Sequence, residues 1–159
     1  MTTHRTEKDH EMSENESGPA PRALTEDELV KILGEQQFGT LATVKKSGHP
    51  HLATVLYRWD PAERVVRIST LEDRIKTRHL RRDPRVALHI NGGNVWSFAV
   101  VEGDAEVSAE AAELVAFAGG FEDPAEERAH LERMAAERRV VIRITADRLY
   151  GTALDIPGE

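Results

Sequence analysis

Six basic side chains fall within twelve residues of this sequence, in a chain of 159 residues whose formal net charge is −7. They are Arg74, Lys76, Arg78, Arg81, Arg82 and Arg85, with Asp83 as the one acid among them. Arginine presents a fork of N–H donors and lysine a mobile positive charge, so both bind phosphate groups well. Because this basic segment (residues 74–85) follows a strand-like run ending in Ser69 and Thr70, we predict that Thr70 caps a short helix there. Arg74 and Lys76 would lie near the helix start, where free backbone N–H groups also attract an anion.

Spacing alone leaves three interpretations of the basic segment open. It could bind a phosphate, form a helix face that is solvated or neutralised by salt bridges, or contact nucleic acid. Glu72 and Asp73, at the start of the predicted helix, count against an anion at that point. The pI of about 5.5 argues against a nucleic-acid binder that relies on overall charge, so we expect no nucleic-acid partner.

The remaining reactive residue types form no recognisable catalytic pattern. The chain has no cysteine, which excludes disulfides, thiolate catalysis and cysteine-ligated metals. The histidines lack the spacing of a metal site, and we predict none, although a haem would need one histidine only. No Gly-x-Ser-x-Gly elbow and no glycine-rich phosphate loop occurs.

Hydrophobic periodicity predicts the elements that must position the basic segment. Residues 1–23 are polar and are expected to be disordered, and one domain follows over residues 24–159. A capping box of Thr25 and Glu28 predicts a helix that ends near residues 34–37. Strands are predicted over residues 38–44, 51–59, 65–70, 86–90, 95–107 and 140–150, and helices over the basic segment, over residues 109–118 and from Asp123 onward. Six short strands with inserted helices predict a mainly β (α+β) antiparallel barrel with peripheral helices.

Composition places the chain among ordinary globular proteins. Hydrophobic residues make up 40% and charged residues 31% of it. We find no apolar run long enough to span a bilayer and no signal peptide, so the sequence predicts no membrane partner and a cytoplasmic location.

Four segments in order, FGTLATV, SGHPHLATVLY, ISTLEDRIKTRHLRRDPRVAL and WSFAVVEGDAEV, resemble the split-barrel flavin- and deazaflavin-binding oxidoreductases related to pyridoxamine 5′-phosphate oxidase. The most specific element is Arg74-x-Lys76-Thr77-Arg78, followed later by Trp96-Ser97. This combination is most similar to the actinobacterial branch that uses the deazaflavin coenzyme F(420). The FMN-using oxidase branch matches less well, because its vitamin-phosphate substrate signature is not apparent.

The resemblance implies a six-stranded antiparallel split β-barrel that forms a homodimer, with a cofactor groove at each end of the subunit interface. Arg74 and Lys76 would bind the cofactor phosphate, with Ser69 and Thr70 beside them. His79 departs from the pattern, since closely similar sequences have asparagine there. Strand edges would face the tricyclic ring, largely through backbone groups, at Ala42, Thr43, Val55, Leu56 and Tyr57.

The resemblance also places His51, Asn91 and Trp96 near positions that line the pocket. The partner chain could supply them. It implies hydride transfer between the deazaflavin and a small conjugated substrate, with no side-chain nucleophile. The proton donor could be the Tyr57 hydroxyl, a bound water or His51. Two alternatives remain open: an FMN-dependent oxidase or reductase of the same fold, and a non-enzymatic protein that binds flavin, deazaflavin or haem.

Overall fold

The computed structural model describes residues 20–155, which include the basic segment and all six predicted strands. The predicted disordered extension lies mostly outside the described residues. Its last two residues, Arg22–Ala23, form the short strand β1. Ordered structure therefore begins slightly before the predicted start at residue 24.

Four helices occur in the described part of the chain. Helix α1 (Glu26–Glu35) has the predicted capping box, in which Thr25 Oγ1 accepts from the N–H of Glu28 and the Glu28 carboxylate accepts from the N–H of Thr25. The other three are α2 (Ile75–Arg82), α3 (Ala111–Ala118) and α4 (Pro124–Ala136). Asp123 caps α4 with Pro124 at its first position, which confirms the prediction for that helix.

The strands form a mainly antiparallel architecture, as predicted, with six long strands and four short ones. They are β1, β2 (Phe38–Val44), β3 (Pro50–Leu56), β4 (Arg58–Asp60), β5 (Val65–Leu71), β6 (Arg85–Asn91), β7 (Phe98–Ser108), β8 (Arg139–Thr145), β9 (Arg148–Tyr150) and β10 (Thr152–Ala153). The order in the main sheet is β3-β2-β6-β7-β8-β5-β4, with β9 on β7, while β1 pairs with β10. The fold is a split β-barrel with peripheral helices, which confirms the predicted class.

Strand β7 joins the two halves of the barrel. Its residues 98–104 pair with β6, and residues 105–108 pair with β8. Gly103 lies where the partner changes, and a Cβ added there would be 2.0 Å from the Thr145 carbonyl oxygen. The two strands could not approach so closely with any other residue at this position.

Three predicted strands have different boundaries in the structure. The predicted strand 51–59 is interrupted at Tyr57, whose N–H donates to the Gln37 oxygen, so β3 and β4 separate there. The predicted strand 140–150 breaks at Ala146, whose N–H donates to the Arg64 oxygen. Strand β7 starts at Phe98 because residues 92–97 form a turn closed by a hydrogen bond from the Gly92 N–H to the Ser97 oxygen.

The core fills the barrel with aliphatic side chains from the long strands. Fully buried members include Leu41, Ile68, Leu88, Val101, Ile142 and Ile144. Leu80 of α2 is also buried in this core, so the basic helix covers the barrel with one apolar side chain and leaves its arginine side chains outside. This packing fixes where the charges of α2 are presented.

Candidate functional site

The start of helix α2 is held tightly against the end of β5. The Arg74 N–H and the Thr77 hydroxyl both donate to the Leu71 carbonyl oxygen, over 3.2 and 2.9 Å. Arg74 is the residue that precedes the first helical turn, and its side chain makes no capping hydrogen bond. The prediction that Thr70 caps this helix is wrong, because Thr70 lies within β5 and is buried.

The cations at the back of the basic segment are engaged within the fold. Arg81 pairs with Glu72 over 2.7 Å, and Arg85 pairs with Asp83 over 2.7 Å. Arg82 donates to the Val44 carbonyl oxygen over 2.5 Å. Glu72, which counted against an anion at the helix start, is therefore already compensated.

The front of the basic segment is not neutralised by residues 20–155. Arg74, Lys76 and Arg78 make no salt bridge to any carboxylate within that range. Burial, together with the positive charge of Arg74, lowers the pKa of Lys76 below its usual value. A half-buried ammonium beside a guanidinium has unfavourable electrostatics until an anion arrives. The front of α2 therefore has the charge distribution of an anion site.

A polar cluster lies inside the end of the barrel that α2 covers. Thr43 Oγ1 and His79 Nδ1 are 3.0 Å apart, and both side chains are more than nine-tenths buried. Thr43 pairs in register with His51, whose ring meets the His79 ring edge-on with centroids 5.1 Å apart. His51 Nδ1 is buried and has no hydrogen-bond partner among the described residues.

This cluster of Thr43, His51 and His79 lies in a positively charged environment. Burial lowers the pKa of His79, and the charges of His51, Arg82 and Lys45 lower it further. His79 is therefore neutral near pH 7. It can donate or accept a hydrogen bond, but it contributes no positive charge. Lys45 was missed by the sequence reasoning; the only available signal was its place in the basic pair Lys45-Lys46 at the β2–β3 turn.

The predicted pairs of neighbouring site residues face opposite sides of their strands. Thr70 points into the barrel with Ile68, and Ser69 points out of it, because side chains alternate along a strand. In β2, Thr43 points inward and Ala42 points to the outer face, where it pairs with Leu52. Only one member of each pair can therefore present its side chain to a given ligand.

The predicted ring-facing residues at the end of β3 are arranged in the same way. Val55 is buried inside the barrel, and Leu56 is 47% exposed on the outer face. The Tyr57 hydroxyl donates to the Leu33 carbonyl oxygen over 2.8 Å, and burial raises its pKa. Because the Tyr57 N–H is also used, by Gln37, Tyr57 could offer a ligand only its carbonyl group, and its hydroxyl is no longer a candidate proton donor.

Asn91 and Trp96 are not near helix α2 within one chain. Thr40 and Ala42 of β2 pair with His89 and Ala87 of β6, so the same register places Asn91 level with Phe38 at the start of β2. The polar cluster lies about five residues away at the other end of β2, roughly 17 Å along the strand. Trp96 is exposed in the turn that follows Asn91.

A family model for pyridoxamine 5′-phosphate oxidase matches residues 25–153, nearly the whole described part of the chain. The chain belongs to the pyridoxamine 5′-phosphate oxidase family. This is a family of flavin-binding oxidoreductases, and the match confirms the family resemblance read from the sequence.

Solved structures share the fold of this family member. A conserved hypothetical protein from Mycobacterium tuberculosis is 25% identical, with a TM-score of 0.66 over 86% of this chain and 94% of that one. An FAD-binding protein from Mesorhizobium loti is 20% identical, with a TM-score of 0.66 over 85% and 99%. An F(420) reductase is 21% identical, with a TM-score of 0.57 over 75% and 93%. The latter two likenesses establish the fold alone.

Within the described range, neither a metal-binding cluster nor a membrane-spanning helix occurs. Residues 20–155 contain no group of three or more His, Asp or Glu side chains placed to hold a metal ion. No helix in this range has the length and apolar character needed to cross a membrane.

Proposed function

We propose that this chain is an oxidoreductase that transfers hydride between the deazaflavin coenzyme F(420) and a small conjugated organic substrate. The observation that supports this most directly is the charge balance of α2. Its rear cations are engaged within the fold, while Arg74 and Lys76 have no carboxylate partner in residues 20–155. The Arg74-x-Lys76-Thr77-Arg78 motif favours the deazaflavin over FMN.

The residues present fit a phosphate-bearing cofactor. Arg74 would give the phosphate a forked pair of N–H donors, and the half-buried Lys76 would add a point charge. A bound anion would offset both the burial and the repulsion from Arg74 that lower the pKa of Lys76. The two side chains thus hold and orient the cofactor at the end of β5.

Two imidazoles would provide the polar contacts next to this phosphate. His79 is held by Thr43, and the ring of His51 rests against it, so both orientations are fixed before a ligand binds. Because the Tyr57 hydroxyl is occupied, His51 is the remaining side chain among the candidate proton donors. When bound, the reduced cofactor supplies the hydride, and the protein need contribute only binding, orientation and this proton.

The groove would be completed by a second copy of the chain. Phe38, Leu52 and Leu56 are 62%, 64% and 47% exposed, and they share the outer face at the β3 end of the sheet. Such an apolar patch on one chain is typical of an interface. A partner that covers it would also bring Asn91 and Trp96 toward the cofactor groove, as the family resemblance implies.

Titration of the purified protein with coenzyme F(420), FMN and haem, followed by fluorescence or absorbance, tests the cofactor assignment. We expect tight binding of the deazaflavin and weaker binding of the other two. Nanomolar affinity for FMN with only millimolar affinity for the deazaflavin would overturn the assignment. Oxidation of the bound reduced coenzyme on addition of 2-cyclohexen-1-one, used as a conjugated acceptor, would distinguish an enzyme from a storage protein.

Light scattering tests the dimer. We expect twice the chain mass for the natural protein and a monomer with impaired cofactor affinity for Leu52→Lys combined with Leu56→Lys. A monomer that keeps full affinity would contradict a groove at the interface. The variant Ala135→Lys combined with Ala136→Lys, at exposed positions of α4 away from this patch, tests whether added charge alone has this effect.

A further inference from the structure

Lys76 differs in its surroundings from the other lysines of the described chain. Residues 20–155 contain four lysines, which are Lys31, Lys45, Lys46 and Lys76. The first three are exposed, and Lys31 also lies 3.8 Å from the Glu35 carboxylate. Lys76 is half-buried and has no carboxylate partner in this range. Its amine therefore lies in a less polar environment, without a counter-charge from the described residues.

The backbone around Lys76 is fixed on both sides. The Arg74 N–H and the Thr77 hydroxyl donate to the same Leu71 carbonyl oxygen, over 3.2 and 2.9 Å, and the Thr77 side chain is fully buried. Lys76 lies between these two residues in the first turn of α2. Its backbone is therefore anchored before any ligand binds.

The surroundings of Lys76 favour the neutral form of its amine. Burial lowers the pKa of Lys76, and the positive charge of Arg74 lowers it further. A neutral amine has a free electron pair and is a nucleophile, whereas the ammonium ion is not. Because the side chain is only partly buried, a small reagent can reach it. Lys76 thus combines a fixed position with chemical reactivity.

Arg74 provides a site for an anionic reagent beside this amine. Its side chain is exposed, makes no capping hydrogen bond and has no salt bridge within residues 20–155. A guanidinium binds a phosphate group through a fork of N–H donors. Because the charge of Arg74 acts on Lys76, a phosphate held by Arg74 lies close to the amine. A reagent with both a phosphate and an electrophilic carbon is therefore directed to Lys76.

We propose that Lys76 is a site of acylation by small acyl phosphates. Arg74 holds the phosphate group, the Lys76 amine attacks the carbonyl carbon, and a C–N bond forms. The bond between that carbon and the phosphate oxygen breaks, and inorganic phosphate leaves with the electron pair. The amine loses one proton to phosphate or water. The product is a neutral amide, so the front of α2 loses one of its cations.

Acylation of Lys76 requires no cofactor. Its consequence is a loss of cofactor affinity, because the amide can no longer bind the cofactor phosphate as a point charge. Only this consequence rests on the proposed function. In that setting the modification acts as an off-switch that responds to the supply of acyl phosphates.

The experiment uses the full chain without cofactor and acetyl phosphate as the probe. Mass spectrometry after cleavage at acidic residues gives the acetylation rate of each site, because Lys76, Lys31 and the pair Lys45–Lys46 fall in separate fragments. We expect Lys76 to react at least fivefold faster than the other sites, although access alone would favour the exposed lysines. Inorganic phosphate should slow the reaction at Lys76 more than sodium chloride of equal ionic strength does.

Two arginine variants test whether Arg74 holds the phosphate. The rate with acetyl phosphate is divided by the rate with acetic anhydride, which has no phosphate, so that a change in the amine itself cancels. Arg74→Gln is expected to lower this ratio at Lys76 at least fivefold. Arg78→Gln is the matched control and should leave the ratio unchanged. Arg78 is also exposed, is also two residues from Lys76 and also has no salt bridge within residues 20–155.

Three outcomes would each overturn the inference. They are equal rates at Lys76 and the exposed lysines, an unchanged ratio in Arg74→Gln, and equal losses in the two arginine variants. None of these measurements involves the cofactor, so the proposed function would be unaffected. Conversely, a failed titration with coenzyme F(420) would leave the acylation site in place.

Discussion

Two clusters of positive charge in this molecule are used in opposite ways. Arg67 is 6% exposed and is surrounded by carboxylates, with Glu113 at 2.7 Å, Glu63 at 2.8 Å and Asp60 at 3.0 Å. At the front of α2, Arg74 and Lys76 have no such partner in residues 20–155. The difference shows that charge density alone does not identify a ligand site; the decisive property is whether the fold supplies the counter-charge.

The Arg67 cluster has a structural role. Burial disfavours the charge on Arg67, but hydrogen bonds to Glu113, Asp60 and Glu63 outweigh it and raise the pKa above the usual value. Through these contacts, Arg67 ties α3 and the β4–β5 turn to the middle of β5. Arg143 strengthens the network by approaching Glu63 and Glu113 over 3.4 Å each.

The largest effect is expected when the front of α2 loses its charge. Arg74→Ala combined with Lys76→Ala should weaken cofactor binding by several kcal/mol, since each charged contact contributes about 1.5–3 kcal/mol. The free energy of unfolding should change by less than about 0.5 kcal/mol, as for a surface site without a capping bond. Cofactor titration and urea unfolding measure the two quantities. Unchanged affinity would mean that α2 is a solvated helix face and does not bind the cofactor.

Arg67→Met is expected to lower stability and to leave cofactor affinity unchanged, which is the opposite of the pattern at the front of α2. Removing this partner leaves Asp60 without a cation in residues 20–155, and leaves Glu63 and Glu113 with Arg143 alone. The free energy of unfolding should fall by roughly 3 kcal/mol, at the lower end for a buried pair because Glu63 keeps contact with solvent. Affinity per folded molecule should stay the same. Arg64→Met, which breaks an exposed pair with Glu26, is the control and should lose far less stability. Equal losses in the two variants would refute the structural role.

A smaller effect is expected from the titration of His79. Its pKa is lower in the folded chain than the ordinary value of 6.5. As the pH falls through that value, the unfolded chain therefore binds more protons than the folded chain. The free energy of unfolding should therefore decrease from pH 7.5 to pH 5.5. In His79→Asn the decrease should be shallower, because the group whose pKa is lowered by folding is gone. Urea unfolding at both pH values checks this, and parallel decreases would exclude His79 as the source.

The smallest effect is expected at the back of α2. Arg81→Ala breaks the exposed pair with Glu72 and should cost less than about 1 kcal/mol of stability. It should weaken the cofactor by less than threefold, although it removes the same charge as Arg74→Ala. A loss equal to that of Arg74→Ala would mean that the two ends of the helix are not distinct.

Much of the fold was predictable because its signals are local. The capping box of Thr25 and Glu28, the start of α4 at Asp123-Pro124 and the alternation in β2 each lie within a few residues. Boundaries failed where a distant segment supplied the hydrogen bond. The Tyr57 N–H donates to the Gln37 oxygen, so the predicted strand is interrupted there. The helix cap is Arg74 and not the predicted Thr70, because Thr70 still belongs to β5.

The candidate site was predictable in part for the same reason. Arg74 and Lys76 stand out by type and spacing, but Arg81 has the same residue type as Arg74 and lies in the same short segment. Their difference depends on Glu72, nine residues from Arg81 and brought close by the turn before α2. Likewise, Thr43 and His79 are 36 residues apart and meet only when α2 covers the end of β2.

By itself, the sequence determined the strand pattern, the caps of α1 and α4 and the position of the basic segment, because propensity, alternation and capping act over a few neighbouring residues. Tertiary structure alone decided which cations keep a free charge and which imidazoles lie together at the end of β2. These properties depend on burial and on partners from remote segments. The strand order β3-β2-β6-β7-β8-β5-β4, and not the spacing along the chain, brings those segments together.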